Sequence, residues 1–193
     1  MRRAILPLSA AAIALLLAMT AWWALSPHAT RVKVGQMAPD LALPHWNAPA
    51  VRGSLHALRG SPVLLVFFDS SWPTSGPALQ EIEKVHRRFL QDGLVVVAVA
   101  LDPPQEAKAL EFFLGNRAVT FTVLLDPLGA QVEPVYGLPP KRQPETYVID
   151  ATGRVVSIHL RPEPWAREDL RTMLARLLPP RKPAALDSPR PPG

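Results

Sequence analysis

Two uninterrupted apolar runs, SPVLLVFF (Ser61 to Phe68) and LVVVAVAL (Leu94 to Leu101), constrain the fold of this chain more than any other feature. Both are rich in β-branched residues. The first is bounded by Gly60 and by Asp69-Ser70-Ser71, and the second follows Gly93. Such runs suit strands buried on both faces, the pattern of a parallel sheet. Between them Leu79, Ile82, Val85 and Phe89 recur at spacings of three and four, which predicts a helix that Gly93 stops. Strand, crossover helix and strand make a parallel βαβ unit.

The remainder extends the same architecture. PPQEAKALEFFLG reads as a second helix, with Leu110, Phe113 and Leu114 inward and Gly115 at its end. TFTVLLD alternates Phe121, Val123 and Leu125 and reads as a strand. ETYVIDATGRVVSIHL holds two runs joined by Asp150-Ala151-Thr152-Gly153, a β-hairpin pattern. A last helix carries Leu170, Met173, Leu174 and Leu177 before Pro179 halts it. Upstream, VGQMAPDLALPHWN suggests an extended lead-in or a small hairpin. The expected fold is α/β, a mixed sheet with helices on both faces, occupying residues 34–178.

The two ends differ from this body. After Arg2 and Arg3, the segment Ala4 to Leu25 carries no charge over about twenty residues, the span of a hydrocarbon core. Trp22 and Trp23 stand at its far end, where amphipathic rings favour the membrane interface. The expectation is one N-terminal transmembrane signal-anchor over residues 1–27, then a linker over 28–33. The rival is a cleaved signal peptide, with a weak small-residue site near Met19-Thr20-Ala21. Either reading puts the domain on the periplasmic, extracytoplasmic side of the inner cell membrane. The C-terminal residues 179–193 are proline-rich with few large apolar side chains, which predicts a disordered tail.

Charge follows the same division. Of 21 basic residues, Arg2, Arg3, Arg181, Lys182 and Arg190 lie in the ends, against only Asp187 of the 16 acids. The body is nearly neutral, so no nucleic-acid footprint is expected. His28, His45, His56, His86 and His159 are scattered without an acidic cluster, so no metal and no other cofactor is expected. Glu81, Glu83 and Lys84 with Arg87 and Arg88 read as a solvated helix face containing a Glu83–Arg87 pair.

The order of elements resembles the thioredoxin-like fold. Within it, the chain is most similar to the membrane-anchored TlpA/ResA/CcmG group of extracytoplasmic thiol–disulfide proteins, related to the AhpC/TSA redoxins. Gly35 with APDLAL matches the group's Gly-x-x-Ala-Pro-Asp-Phe-x-Leu opening, and SLHALRGSPVLLVFF, GLVVVAVALD and PETYVIDATGRVV match its later segments. Pro144 falls on the position that the group holds as a cis-proline beside the active site. The departures lie at the chemistry. Trp72-Pro73-Thr74-Ser75 replaces Cys-x-x-Cys, so Trp72 takes the attacking position and Ser75 the resolving one. Val66 stands where many members hold a buried acid or amide.

The chain contains no cysteine at all, which excludes disulfides, thiolate ligands and a thiol nucleophile. A Trp cannot ionise or form a mixed disulfide, and a Ser without a base is a weak nucleophile. The expectation is therefore no catalytic residue and a polypeptide-binding or assembly module. Its groove would be formed by Ser71, Trp72, Pro73, Thr74, Ser75, Gln143 and Pro144. The family-level alternative is a thiol–disulfide oxidoreductase in envelope redox homeostasis or cytochrome c maturation. Ser70, Ser71, Thr74 and Ser75, near Asp69 and His86, also raise a serine nucleophile. Helix capping, with Pro73 at the first helical position, accounts for them more simply. Trp72 either packs under the helix or presents a rigid aromatic surface.

Overall fold

The structure is a computed structural model that describes residues 15, 17, 19, 31–138, 144–165 and 167–178. Most of the expected anchor, the tail over 179–193 and Gln143 lie outside the described residues. Among the described residues, no helix is long and apolar enough to cross a membrane.

The lead-in segment folds as a small antiparallel hairpin, β1 (Ala42–Pro44) and β2 (Arg52–Ser54). There follow β3 (Val63–Phe68), α1 (Ser75–Phe89), β4 (Val95–Ala100), α2 (Ala107–Gly115) and β5 (Thr122–Leu125). The chain then forms a short α3 (Val132–Tyr136), β6 (Glu145–Ile149), β7 (Val155–His159) and α4 (Glu168–Leu177). The main sheet has the order β5-β4-β3-β6-β7. β3 pairs parallel with β4 and antiparallel with β6, and all six of its residues are buried. The expected βαβ unit and the final hairpin are both present. Gly153 closes that hairpin at φ 86°, a conformation favouring glycine.

Alternate residues of β3 feed two cores. Leu64, Val66 and Phe68 meet Leu79, Ile82, Val85 and Phe89 of α1, together with Leu110 and Leu114 of α2 and Leu170 and Leu174 of α4. Val63, Leu65 and Phe67 face Leu41, Leu43 and Leu55 of the hairpin region and Val132 and Tyr136 of α3. The distribution of helices is thus less even than the sequence suggests. Three helices share one face, and the other is covered chiefly by the hairpin. The five residues of α3 are too few to show a period. β5 is also buried on both sides, at Val123 and Leu124, because the hairpin lies against it through a His45–Leu124 bridge. Among the described residues, Arg31 and Val32, inside the stretch assigned to a linker, pack against the domain. Val32 is buried and its N–H donates to the Tyr136 carbonyl at 3.3 Å.

Glu83 corrects the reading of α1's polar face. The Glu83–Arg87 pair exists, with Arg87 Nε donating to Oε1 at 2.6 Å, but Glu83 is buried rather than solvated. Thr120 donates its N–H to Oε2 at 2.9 Å and its hydroxyl to Oε1 at 2.7 Å. Burial alone would raise this carboxyl, yet the Thr120 N–H, Arg87 and the Thr120 hydroxyl together hold it below the usual carboxylate range. Its stabilisation is present above the unfolded glutamate value and is lost as pH falls through the lower folded value. Glu83→Gln is expected to lose about 1–2 kcal/mol at neutral pH. In urea unfolding, the gap from the parent should narrow as pH drops into the acid range, and a pH-independent gap would contradict this assignment.

Candidate functional site

β3 delivers the chain to the edge of the sheet where a thiol site would stand, and Asp69 organises the turn that follows. Its carbonyl accepts the Trp72 N–H at 3.1 Å and the Ser75 hydroxyl at 2.6 Å. Its carboxylate accepts both the N–H and the hydroxyl of Ser71, at 2.9 and 2.6 Å. The Ser75 N–H then returns to the Trp72 carbonyl at 3.0 Å, so the two positions that the resemblance matches to cysteines span a single turn.

This geometry revises the capping expectation. α1 starts at Ser75, two residues past Pro73, and Thr74 precedes it without a side-chain capping bond. Aspartate and carbonyl oxygens accept the hydroxyls of Ser70, Ser71 and Ser75; these hydroxyls do not cap the helix's free N–H groups. Ser75 is fully buried with its hydroxyl spent on a backbone carbonyl, which removes it as a nucleophile. His86 is buried against Phe121, with ring centroids 6.0 Å apart. Trp72 is half-buried, between the two alternatives, and Ser71, Pro73 and Thr74 around it are exposed.

Pro144 is buried and directly precedes β6, whose Glu145 pairs with Phe67. That register puts Pro144 at the same sheet edge as the Asp69–Ser75 turn. Gln143, the other groove residue on that side, lies outside the described residues. Val66 is buried among apolar neighbours.

Five residues that the sequence did not assign to the site complete the surroundings. Asp102, just past β4, accepts the Ser70 N–H at 3.1 Å and also its hydroxyl. Burial and, secondarily, the charge of Asp69 raise its carboxyl, against the Ser70 bonds. A raised acid favours the folded state below its unfolded value and loses that contribution as pH rises through the folded one. The stability difference of Asp102→Asn from the parent is therefore expected to shift in the variant's favour as pH climbs from 3 to 7. A flat difference in paired thermal melts would refute this.

Arg117 lies across the first turn of α1, where a Cβ on Gly76 would come within 2.5 Å of its Nη2. Its guanidinium sits 3.8 Å from the Phe113 ring centroid and donates to the Phe113 carbonyl at 3.0 Å. On the other face, buried Glu145 pairs with Arg31, and the Tyr147 hydroxyl lies 3.4 Å from it. Burial and the nearby Glu145 push the Tyr147 phenol up to about 12, so it stays neutral. These contacts join distant parts of the chain, and no local spacing announces them. Among the described residues, no group of His, Asp or Glu has the arrangement of a metal site.

The AhpC/TSA family model matches residues 34–158. The chain is 24% identical over 127 residues to the thiol-disulfide oxidoreductase ResA of Halalkalibacterium halodurans, covering 66% of this chain and 68% of that one. A structure from Chlorobium tepidum assigned as thiol:disulfide interchange protein DsbE has 29% identity and a TM-score of 0.65, over 76% of this chain and 99% of its own. The thioredoxin domain of a thiol-disulfide oxidoreductase from Bacteroides vulgatus shares the fold, with 17% identity and a TM-score of 0.64, over 77% and 99%.

Proposed function

The chain belongs to the AhpC/TSA family, as a thioredoxin-like redoxin without a cysteine, and we propose that it is a redox-inactive module that holds a polypeptide. The carrying observation is the retained turn. Strand β3, the Asp69-centred bonds and α1 frame the turn on which the resemblance places a dithiol, with fully buried Ser75 and half-buried Trp72 at the thiol positions. Nothing at the turn can attack a disulfide, while the exposed Ser71, Pro73 and Thr74 leave a surface around an aromatic anchor. An extended partner segment would pair its backbone beside Pro144 and rest on Trp72. Gln143 belongs to this surface by its place in sequence.

In this reading the module is tethered to the membrane, on the extracytoplasmic side. The uncharged run from Ala4 to Leu25 supports the tether, as do the exposed helical side chains of Leu15, Leu17 and Met19 within it. Site-specific photo-crosslinking from position 74 in native membranes is expected to capture a polypeptide. Capture should be lost when crosslinking from position 74 is repeated in a Trp72→Ala, Gln143→Ala background. Undiminished capture in that background would move the binding site elsewhere. Turnover of insulin disulfides by the purified protein would overturn redox inactivity.

A further inference from the structure

The sheet face away from α1 is incompletely filled. Beneath the β1–β2 hairpin lies a cavity of about 220 Å³. Leu65, Val97 and Leu124, on the adjacent strands β3, β4 and β5, form its floor, and Leu41, Leu55 and Leu58 line its other side. The floor residues are only 0%, 5% and 3% exposed, so bulk solvent scarcely reaches them. An engineered cavity of about 150 Å³ lined by Leu, Ile and Phe stays dry and takes up benzene; here the floor is equally apolar, and the polar side chains Arg52, His45, Ser54 and Thr122 complete the lining. Empty apolar volume forfeits dispersion contacts and is destabilising, which favours either collapse or an occupant.

Collapse is opposed by the way the hairpin is fixed. Gly53 already lies so close to β5 that a Cβ there would meet Leu124 Cδ2 at 2.8 Å. The His45–Leu124 bridge and the Leu55 N–H bond to the Leu41 carbonyl, at 3.2 Å, pin the same roof. The basic side chains of the rim are Arg52 and His45, and the Ser54 hydroxyl beside them donates to the Asp40 carboxylate at 3.1 Å. Arg52 and His45 are neighbours across the hairpin, through the Pro44–Arg52 pair and the 3.0 Å bond from the His45 N–H to the Val51 carbonyl. No carboxylate lines the cavity among the described residues. Arg52 gives one N–H to the Ala42 carbonyl, and a guanidinium carries five.

We propose that this cavity binds a monocarboxylate with an apolar body of about six to nine carbons, a size scaled from benzene in the engineered cavity. The body rests on Leu65, Val97 and Leu124, and the carboxylate meets Arg52 and His45. This site is on the opposite face of the sheet from α1 and is independent of the polypeptide-binding role.

The test uses the full chain in detergent-free lipid nanodiscs, since detergent tails would compete for an apolar cavity. Leucine and valine methyl resonances are followed during titration with octanoate, with octanamide as the neutral twin. Ligands of this size bind in the micromolar-to-millimolar range. Saturable shifts are expected at the methyls of Leu65, Val97 and Leu124. Binding should weaken about tenfold for octanamide and for Arg52→Ala, the loss of one charge-assisted contact. Val95→Phe, which adds bulk at the cavity wall, should keep a folded spectrum and lose the titration. The proposal fails if octanoate gives no saturable shift at those methyls. It also fails if octanamide binds as well, or if folded Val95→Phe binds like the parent.

Discussion

The double substitution Trp72→Cys, Ser75→Cys is expected to make this turn a working dithiol, raising insulin reduction by dithiothreitol measurably above the uncatalysed rate seen with the parent. Ser75 N–H bonds the Trp72 carbonyl at 3.0 Å, so the two positions span one tight turn. Residues that close such a turn have Cα atoms under about 7 Å apart, overlapping the 4.4–6.8 Å range of disulfides. Exposure is divided as the reaction requires. Position 72 is half-exposed and can meet a substrate disulfide, while position 75 is buried and can only resolve the mixed disulfide. The thiolate at 72 would attack one substrate sulfur and release the other as a thiol. The thiol at 75 would then displace the reduced substrate, leaving an intramolecular disulfide for dithiothreitol to reduce. The start of α1, with Arg117 beside Gly76, supplies positive potential for the thiolate, although Asp69 works against it.

Two controls make this result specific. Trp72→Cys alone should react with a thiol reagent without turning over, and Ser75→Cys alone should react slowly in the folded protein. If the double variant is folded but inert, the turn no longer holds the geometry of a dithiol site. If Ser75→Cys labels as fast as Trp72→Cys, the assignment of an outer and an inner position is wrong.

Phe67→Ala is expected to cause the largest loss of stability, about 3–5 kcal/mol, as for other large buried aromatics. Phe67 is almost fully buried in the central strand β3. Its ring meets Tyr136 edge-on at 4.9 Å and Tyr147 at 5.6 Å, and those two rings lie 5.3 Å apart. One truncation therefore opens a three-ring cluster that joins β3, α3 and β6. Total domain stability is only about 5–15 kcal/mol, so such a loss would lower the urea midpoint sharply or prevent accumulation. Phe112 is the matched control. It is 73% exposed on α2, and Phe112→Ala should leave the midpoint nearly unchanged. Equal effects of the two substitutions would contradict this account of the second core.

Much of the fold was legible because burial leaves a local trace. The six consecutive apolar residues of β3 and the three- and four-residue spacing from Leu79 to Phe89 report their environments without knowledge of any neighbour. The identity of the candidate site was legible for a different reason, since thiol chemistry needs a thiol and the chain has none. α3 was not legible, because five residues cannot show a period. The start of α1 was misplaced because Pro73, although suited to a first helical position, belongs instead to the turn organised by Asp69.

What the sequence determined by itself was therefore the parallel βαβ frame, its final hairpin and the absence of any thiol. Each follows from residue types at short spacing. Only the tertiary structure decided that Glu83 is buried under Thr120, that Asp102 takes both donors of Ser70, and that the hairpin roofs a cavity over Leu65, Val97 and Leu124. Hydrogen bonding and burial between residues tens of positions apart depend on where the sheet brings them, and side-chain type alone carries no record of that distance.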